Sequence, residues 1–141
     1  MNNIFEKNIF ALKNKNPQLA DKLLKYVPND IPSLIQENGF YNFRYKNIFL
    51  HNQKNPLAEA KEIFAQAENT PVSIHVIFGI GLGYLFQVAS ANSAGNVILY
   101  EPDLNILKIA FTLVDFSNDI NKTNIYVADT LDLAEIGRAH V

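Results

Sequence analysis

Hydrophobic positions along this chain first follow a helical period, then an aromatic and partly alternating one, then short apolar runs broken by glycine. Phe5, Ile9 and Leu12 fall at helical spacing and predict a first helix. Asn16-Pro17 supplies a cap and a first-turn proline for a second. That helix places Leu19, Leu23 and Tyr26 or Val27 on one face before Pro28 ends it. Asn29 to Asn38, with Pro32, reads as a loop or short turn. From Gly39 to Leu50 the residues Phe40, Tyr41, Phe43, Tyr45, Ile48 and Phe49 predict one or two strands. No Asn-Gly or Asp-Gly pair fixes their register. Asn55-Pro56 is again a cap followed by proline, and Leu57, Ala60, Phe64 and Ala67 continue as an amphipathic stripe.

After Asn69-Thr-Pro71 the pattern changes. Ser73 to Phe78 is an apolar run, Gly79-Ile-Gly-Leu-Gly83 is a turn, and a helix burying Leu82, Leu85, Phe86 and Ala89 follows. Asn92 to Gly95 turns into a second apolar strand, Val97 to Tyr100, which ends in Glu101. A helix over about Leu104 to Val114 is apolar on nearly every side, so it lies between other elements, some of them expected beyond this chain. Asn124 to Ala128 predicts a third strand ending in Asp129. Strand, glycine turn, helix, strand and terminal acid is the order of a doubly wound α/β protein. The expected fold is α/β, a Rossmann-like parallel sheet half (71–135) preceded by a small α+β N-terminal lobe (1–70).

Composition narrows the classes. At 141 residues and 48% hydrophobic content the chain can bury one real core. A formal charge of −2 gives no electrostatic case for nucleic acid or an anionic membrane surface. There is no cysteine, which removes disulfides and thiolate metal sites. No apolar run is long enough to span a bilayer, and the start has neither the basic residues nor the apolar run of a signal peptide; a cytoplasmic protein is expected. Ile136-Gly-Arg-Ala-His-Val141 is what one reading frame of a common sequencing adapter encodes. The native sequence is therefore expected to stop near Glu135, with no role for Arg138 or His140.

The glycine turn carries the candidate chemistry. Gly79, Gly81 and Gly83 let the chain bend sharply and let a ligand approach the amides at a helix N-terminus. Tyr84 stands where a dinucleotide fingerprint needs its third glycine or alanine, which weakens the case for NAD or FAD. S-adenosylmethionine enzymes often show an acid, one residue, then three alternate glycines; the glycines match, but Ile77 takes the acid's place. A P-loop is excluded, since no Lys-Ser or Lys-Thr follows. Glu101 is placed to accept ribose hydroxyls, or else to sit at the positive end of the next helix with Pro102 at its first position. Asp129 is an adenine-side acid or a turn residue. His75, inside an apolar strand, reads as packed and hydrogen-bonded, His51 as part of a polar loop, and the histidines lack metal-site spacing.

In order of features the chain resembles the N-terminal domain of the motility accessory factor (Maf) glycosyltransferases, bacterial proteins linked to flagellin glycosylation. The resemblance rests on Ile-Phe-Glu-Lys-Asn at the start, Leu50-His51-Asn52, Asn55-Pro56-Leu57-Ala58-Glu59-Ala60, Phe78-Gly-Ile-Gly-Leu-Gly-Tyr84 and Tyr100-Glu-Pro-Asp103. It covers nearly everything to Glu135. It implies transfer of a nonulosonic acid from a cytidine-monophosphate-activated donor to Ser or Thr of flagellin. In the family the chemistry is assigned mainly to a following sialyltransferase-like domain, so no catalytic residue carries over. Gly79, Gly81, Gly83 and Glu101 match the N-terminal motif and are the candidate ligand-binding residues. The expected role is an accessory domain that supports the catalytic one or helps bind flagellin or a nucleotide. Two alternatives are an S-adenosylmethionine-dependent methyltransferase and a purely structural or protein-binding module.

Overall fold

The computed structural model describes residues 3–28, 33–37, 40–45, 48–49, 55–68 and 74–130. The expectations for His51 and for the tail after Glu135 lie outside the described residues. Two helices open the chain, α1 (Asn3–Lys13) and α2 (Pro17–Lys25). The Asn16 side chain accepts from the Leu19 amide at 3.1 Å, so the cap read from the sequence is formed. An antiparallel three-stranded sheet follows, β1 (Ser33–Glu37), β2 (Phe40–Tyr45) and β3 (Ile48–Phe49), in the order β1-β2-β3. The loop expected over Asn29 to Asn38 is therefore corrected: Ser33–Glu37 is a strand, paired from Ser33 opposite Arg44 to Glu37 opposite Phe40. Cross-strand pairing supplies what its mixed polar sequence does not announce.

Helix α3 (Pro56–Glu68) starts where Asn55 caps it, its side-chain oxygen accepting from the Ala58 amide at 2.9 Å. Then come β4 (Ile74–Phe78), α4 (Tyr84–Asn92), β5 (Asn96–Tyr100), α5 (Leu104–Leu113), the short α6 (Ser117–Ile120) and β6 (Ile125–Ala128). The strands form a parallel sheet in the order β4-β5-β6, with Ile77 opposite Leu99 and Leu99 opposite Val127. The fold is α/β with a Rossmann-like half-sheet, as the apolar runs and helical stripes predict. The central strand β5 is the most deeply covered, with Val97, Ile98 and Leu99 at most 1% exposed.

One buried cluster joins the N-terminal helices to this sheet: Leu12, Leu19 and Leu23 belong with Leu99, Phe111, Phe116 and Ile125. Each such side chain contributes about 1.5–3 kcal/mol when fully withdrawn from water. Helix α1 packs on both α5 and α6, so the apolar α5 finds cover within this chain. Asn8, fully buried on α1, fastens that contact. Its Nδ2 donates to the carbonyls of Phe111 at 2.9 Å and Val114 at 2.7 Å, and its Oδ1 accepts from the Phe116 amide at 2.7 Å. One side chain thereby satisfies carbonyls at the end of α5 that have no partner within the helix. Lys15 Nζ donates to the carbonyls of Lys122 and Ile125, and Asn16 Nδ2 to that of Val127 at 3.1 Å. The α1–α2 turn thus borders β6.

Candidate functional site: the glycine turn and Glu101

The turn lies at the carboxyl ends of β4 and β5, where open α/β sheets place their ligands. All three of its glycines have positive φ, at 90° for Gly79, 51° for Gly81 and 81° for Gly83. That conformation is left-handed and disfavours any side chain. Internal hydrogen bonds hold it: the Gly79 amide donates to Tyr100 O at 2.7 Å, and the Gly83 amide to Ile80 O at 2.7 Å.

Glu101 completes the turn. It is only 5% exposed, its Oε1 accepts from the Ile80 amide at 2.9 Å, and its Oε2 accepts from the Asp103 amide at 3.0 Å. The carboxylate links the glycine turn after β4 to the entry of α5. A Cβ on Gly79 would lie 3.8 Å from Glu101 Oε1, in ordinary contact. Burial raises the Glu101 pKa above the usual glutamate range, with the Asp103 charge adding to the rise; the bonds from Ile80 and Asp103 oppose it. Asp103, rather than Glu101 or Pro102, begins the helix: it is the N-cap, its Oδ1 accepting from the amides of Asn105 and Ile106.

Beside this turn is a cleft of about 360 Å³. Gly79, Ile80, Gly81 and Glu101 form its floor, the first turn of α3 contributes Glu59, and Tyr84 opens α4 on the other side. Its walls are largely apolar, with Glu59 as the exception among the charged groups. Phe78 is 71% exposed and Ile63 47%, unusual for side chains of that size, and both lie on the cleft. The Phe78 ring meets Tyr100 edge-on at 5.7 Å between centroids.

Of the four candidates, the structure brings Gly79, Gly81 and Glu101 together on the cleft. Gly83 stands apart. It is the left-handed N-cap of α4 and is buried, and a Cβ there would fall 2.2 Å from the ring of Phe116. Close packing explains that glycine without a ligand. Asp129 is engaged elsewhere, in an ion pair with Lys22 of α2 at 2.8 Å. His75 is half-buried, its ring 5.4 Å from that of Phe64. No cluster of His, Cys, Asp or Glu among the described residues could hold a metal ion. Among them, too, no helix is long and apolar enough to cross a membrane. Glu59 and the exposed Phe78 and Ile63 were not singled out as site residues by the sequence; only the fold shows that α3 faces the glycine turn.

Comparison with known proteins adds one finding. A solved structure of a Maf glycosyltransferase from Magnetospirillum magneticum AMB-1 matches 98% of this chain with a TM-score of 0.64 and 14% sequence identity. The likeness is one of fold. The chain spans 29% of that protein's length. No protein-family model matches the sequence, and no curated protein matches it. The Maf-like fold is the one the glycine turn and Tyr100-Glu-Pro-Asp103 led us to expect.

Proposed function

We propose that this chain is the N-terminal part of a Maf-type glycosyltransferase and serves it as a Rossmann-like accessory domain. The observation that carries the reading is the match of 98% of the chain, in fold, to 29% of a Maf glycosyltransferase structure. The Phe78–Tyr84 turn and Glu101-Pro-Asp103 sit at the carboxyl ends of β4 and β5, where open α/β sheets place ligands, in keeping with it. In this reading the larger protein acts in the cytoplasm, transferring a nonulosonic acid from a cytidine-monophosphate-activated donor to Ser or Thr of flagellin. This part contributes binding and support through the cleft of Gly79, Gly81 and Glu101, while transfer itself belongs to another domain.

The methyltransferase alternative is less well supported. Ile77, buried in β4, occupies the acid's position, and both oxygens of Glu101 already bond to backbone amides. The test is genetic and chemical together. Deleting the gene in its source bacterium should remove the mass of the attached sugars from intact flagellin. The whole gene should restore it, and the 141-residue segment alone should not. Flagellin of unchanged mass in the deletion strain would overturn the proposal.

A further inference from the structure

A glycine-rich turn before a helix ordinarily cradles phosphate, because its amides and the helix N-terminus point at an anion. Here the protein supplies its own anion. Of the turn amides, that of Ile80 donates to Glu101 Oε1, that of Gly79 to Tyr100 O and that of Gly83 to Ile80 O. A second carboxylate, Glu59, stands in the wall, and no lysine or arginine among the described residues lines the cleft. A phosphate entering it would meet two carboxylates in a partly desolvated space, with no cation among the described lining residues to offset them. What the cleft does offer is apolar surface and acceptors. Phe78, Ile63, Leu85 and Ile106 provide faces for a ring. A carboxylate has about four acceptor sites, and Glu101 uses two of them on its own backbone. The volume of about 360 Å³ lies in the range of small-ligand sites.

We infer that this cleft takes an uncharged ligand with neighbouring hydroxyls on an apolar ring, and rejects the phosphorylated form of the same ligand. Nucleosides and glycosyl residues share that chemistry. The inference rests on the reading of the cleft as a binding site. It adds that the anionic activated donor does not bind there.

Saturation-transfer NMR and calorimetry on the whole chain test it with cytidine, 2′-deoxycytidine, cytidine monophosphate and methyl β-glucoside. Cytidine or methyl glucoside should bind, and which of them does so separates the nucleoside from the glycosyl source. Cytidine monophosphate should bind at least about tenfold more weakly than the neutral probe, by uncompensated charge. If cytidine is the ligand, 2′-deoxycytidine should lose a similar factor, about tenfold, for the missing hydroxyl bond to a carboxylate. Phe78→Ala, at an exposed position, should weaken the neutral probe while leaving the thermal midpoint in place. Glu59→Lys should narrow or reverse the preference against the monophosphate. Monophosphate binding equal to or tighter than cytidine binding would overturn the inference, and so would the failure of both neutral probes at millimolar concentration. Either failure leaves the flagellin-mass result untouched, so the two proposals fall separately.

Discussion

Two buried polar side chains, Asn8 and Glu101, tie segments of this molecule together, and they do so differently. At the seam between α1 and α5, Asn8 makes hydrogen bonds to Phe111, Val114 and Phe116, is uncharged, and is wholly enclosed by apolar packing. At the glycine turn, Glu101 bonds to Ile80 and Asp103, keeps acceptor capacity in reserve, and borders a cleft ringed by exposed Phe78 and Ile63. A neutral amide saturated on all sides is what a fold needs for a seam. A buried carboxyl with a raised pKa beside a cleft stabilises less than its bond count suggests, and such groups concentrate where ligands bind. The contrast separates scaffold from candidate site.

The contrast predicts an order of effects. Gly83→Ala should be the most damaging, because the new Cβ meets Phe116 and the backbone is left-handed; a loss of about 3–5 kcal/mol is expected in chemical denaturation. Gly81→Ala, at a cleft-lining glycine, should cost only the conformational part, about 1–2 kcal/mol. Equal losses at the two positions would erase the distinction between packing glycine and cleft glycine.

Asn8→Ala should rank second, after Gly83→Ala and above Gly81→Ala, at about 3 kcal/mol, since it leaves two carbonyls and one amide buried without their partner. Hydrogen exchange should speed up at the end of α5 and the start of α6, and leave the Ile80 and Asp103 amides held by Glu101 unchanged.

Glu101→Gln should cost less, about 1–2 kcal/mol near neutral pH, because Gln keeps one acceptor for Ile80 but faces the Asp103 amide with a donor. Its pH dependence gives the sharper reading. The folded-state pKa of Glu101 is raised, so between the ordinary glutamate value and the raised one the folded state holds more protons than the unfolded. Stability from this group is therefore full below that window and declines as pH rises through it. Denaturation across the acid range should show the slope in the parent protein and a flatter one in Glu101→Gln. The smallest effect is expected at Lys25→Ala, which removes an exposed pair with Asp21; a change of about 0.3 kcal/mol or less is expected.

What the sequence made legible follows the range of the forces involved. Helix caps at Asn16 and Asn55, the apolar strands and the glycine turn are local patterns, and each sits within a residue or two of its expected place. Strand β1 was hidden because pairing with β2, and not its own composition, makes it a strand. Asn8 gave no sign, since its partners lie 103 to 108 residues away. Glu101 was legible as an acid at a strand end, but its partners were not: a sequence does not show that a carboxylate turns back to its own backbone. Gly83 looked like Gly79 and Gly81 for the same reason, and only the position of Phe116 tells them apart.

The most direct measurement is a pH titration of the backbone amide resonances of Ile80 and Asp103 by heteronuclear NMR. If one buried carboxylate bridges the two loops, both amides shift through a shared transition above the ordinary glutamate range, and both lose it in Glu101→Gln. Amides that stay flat, or that move at unrelated pH values and keep moving in the variant, would show that Glu101 does not close the turn.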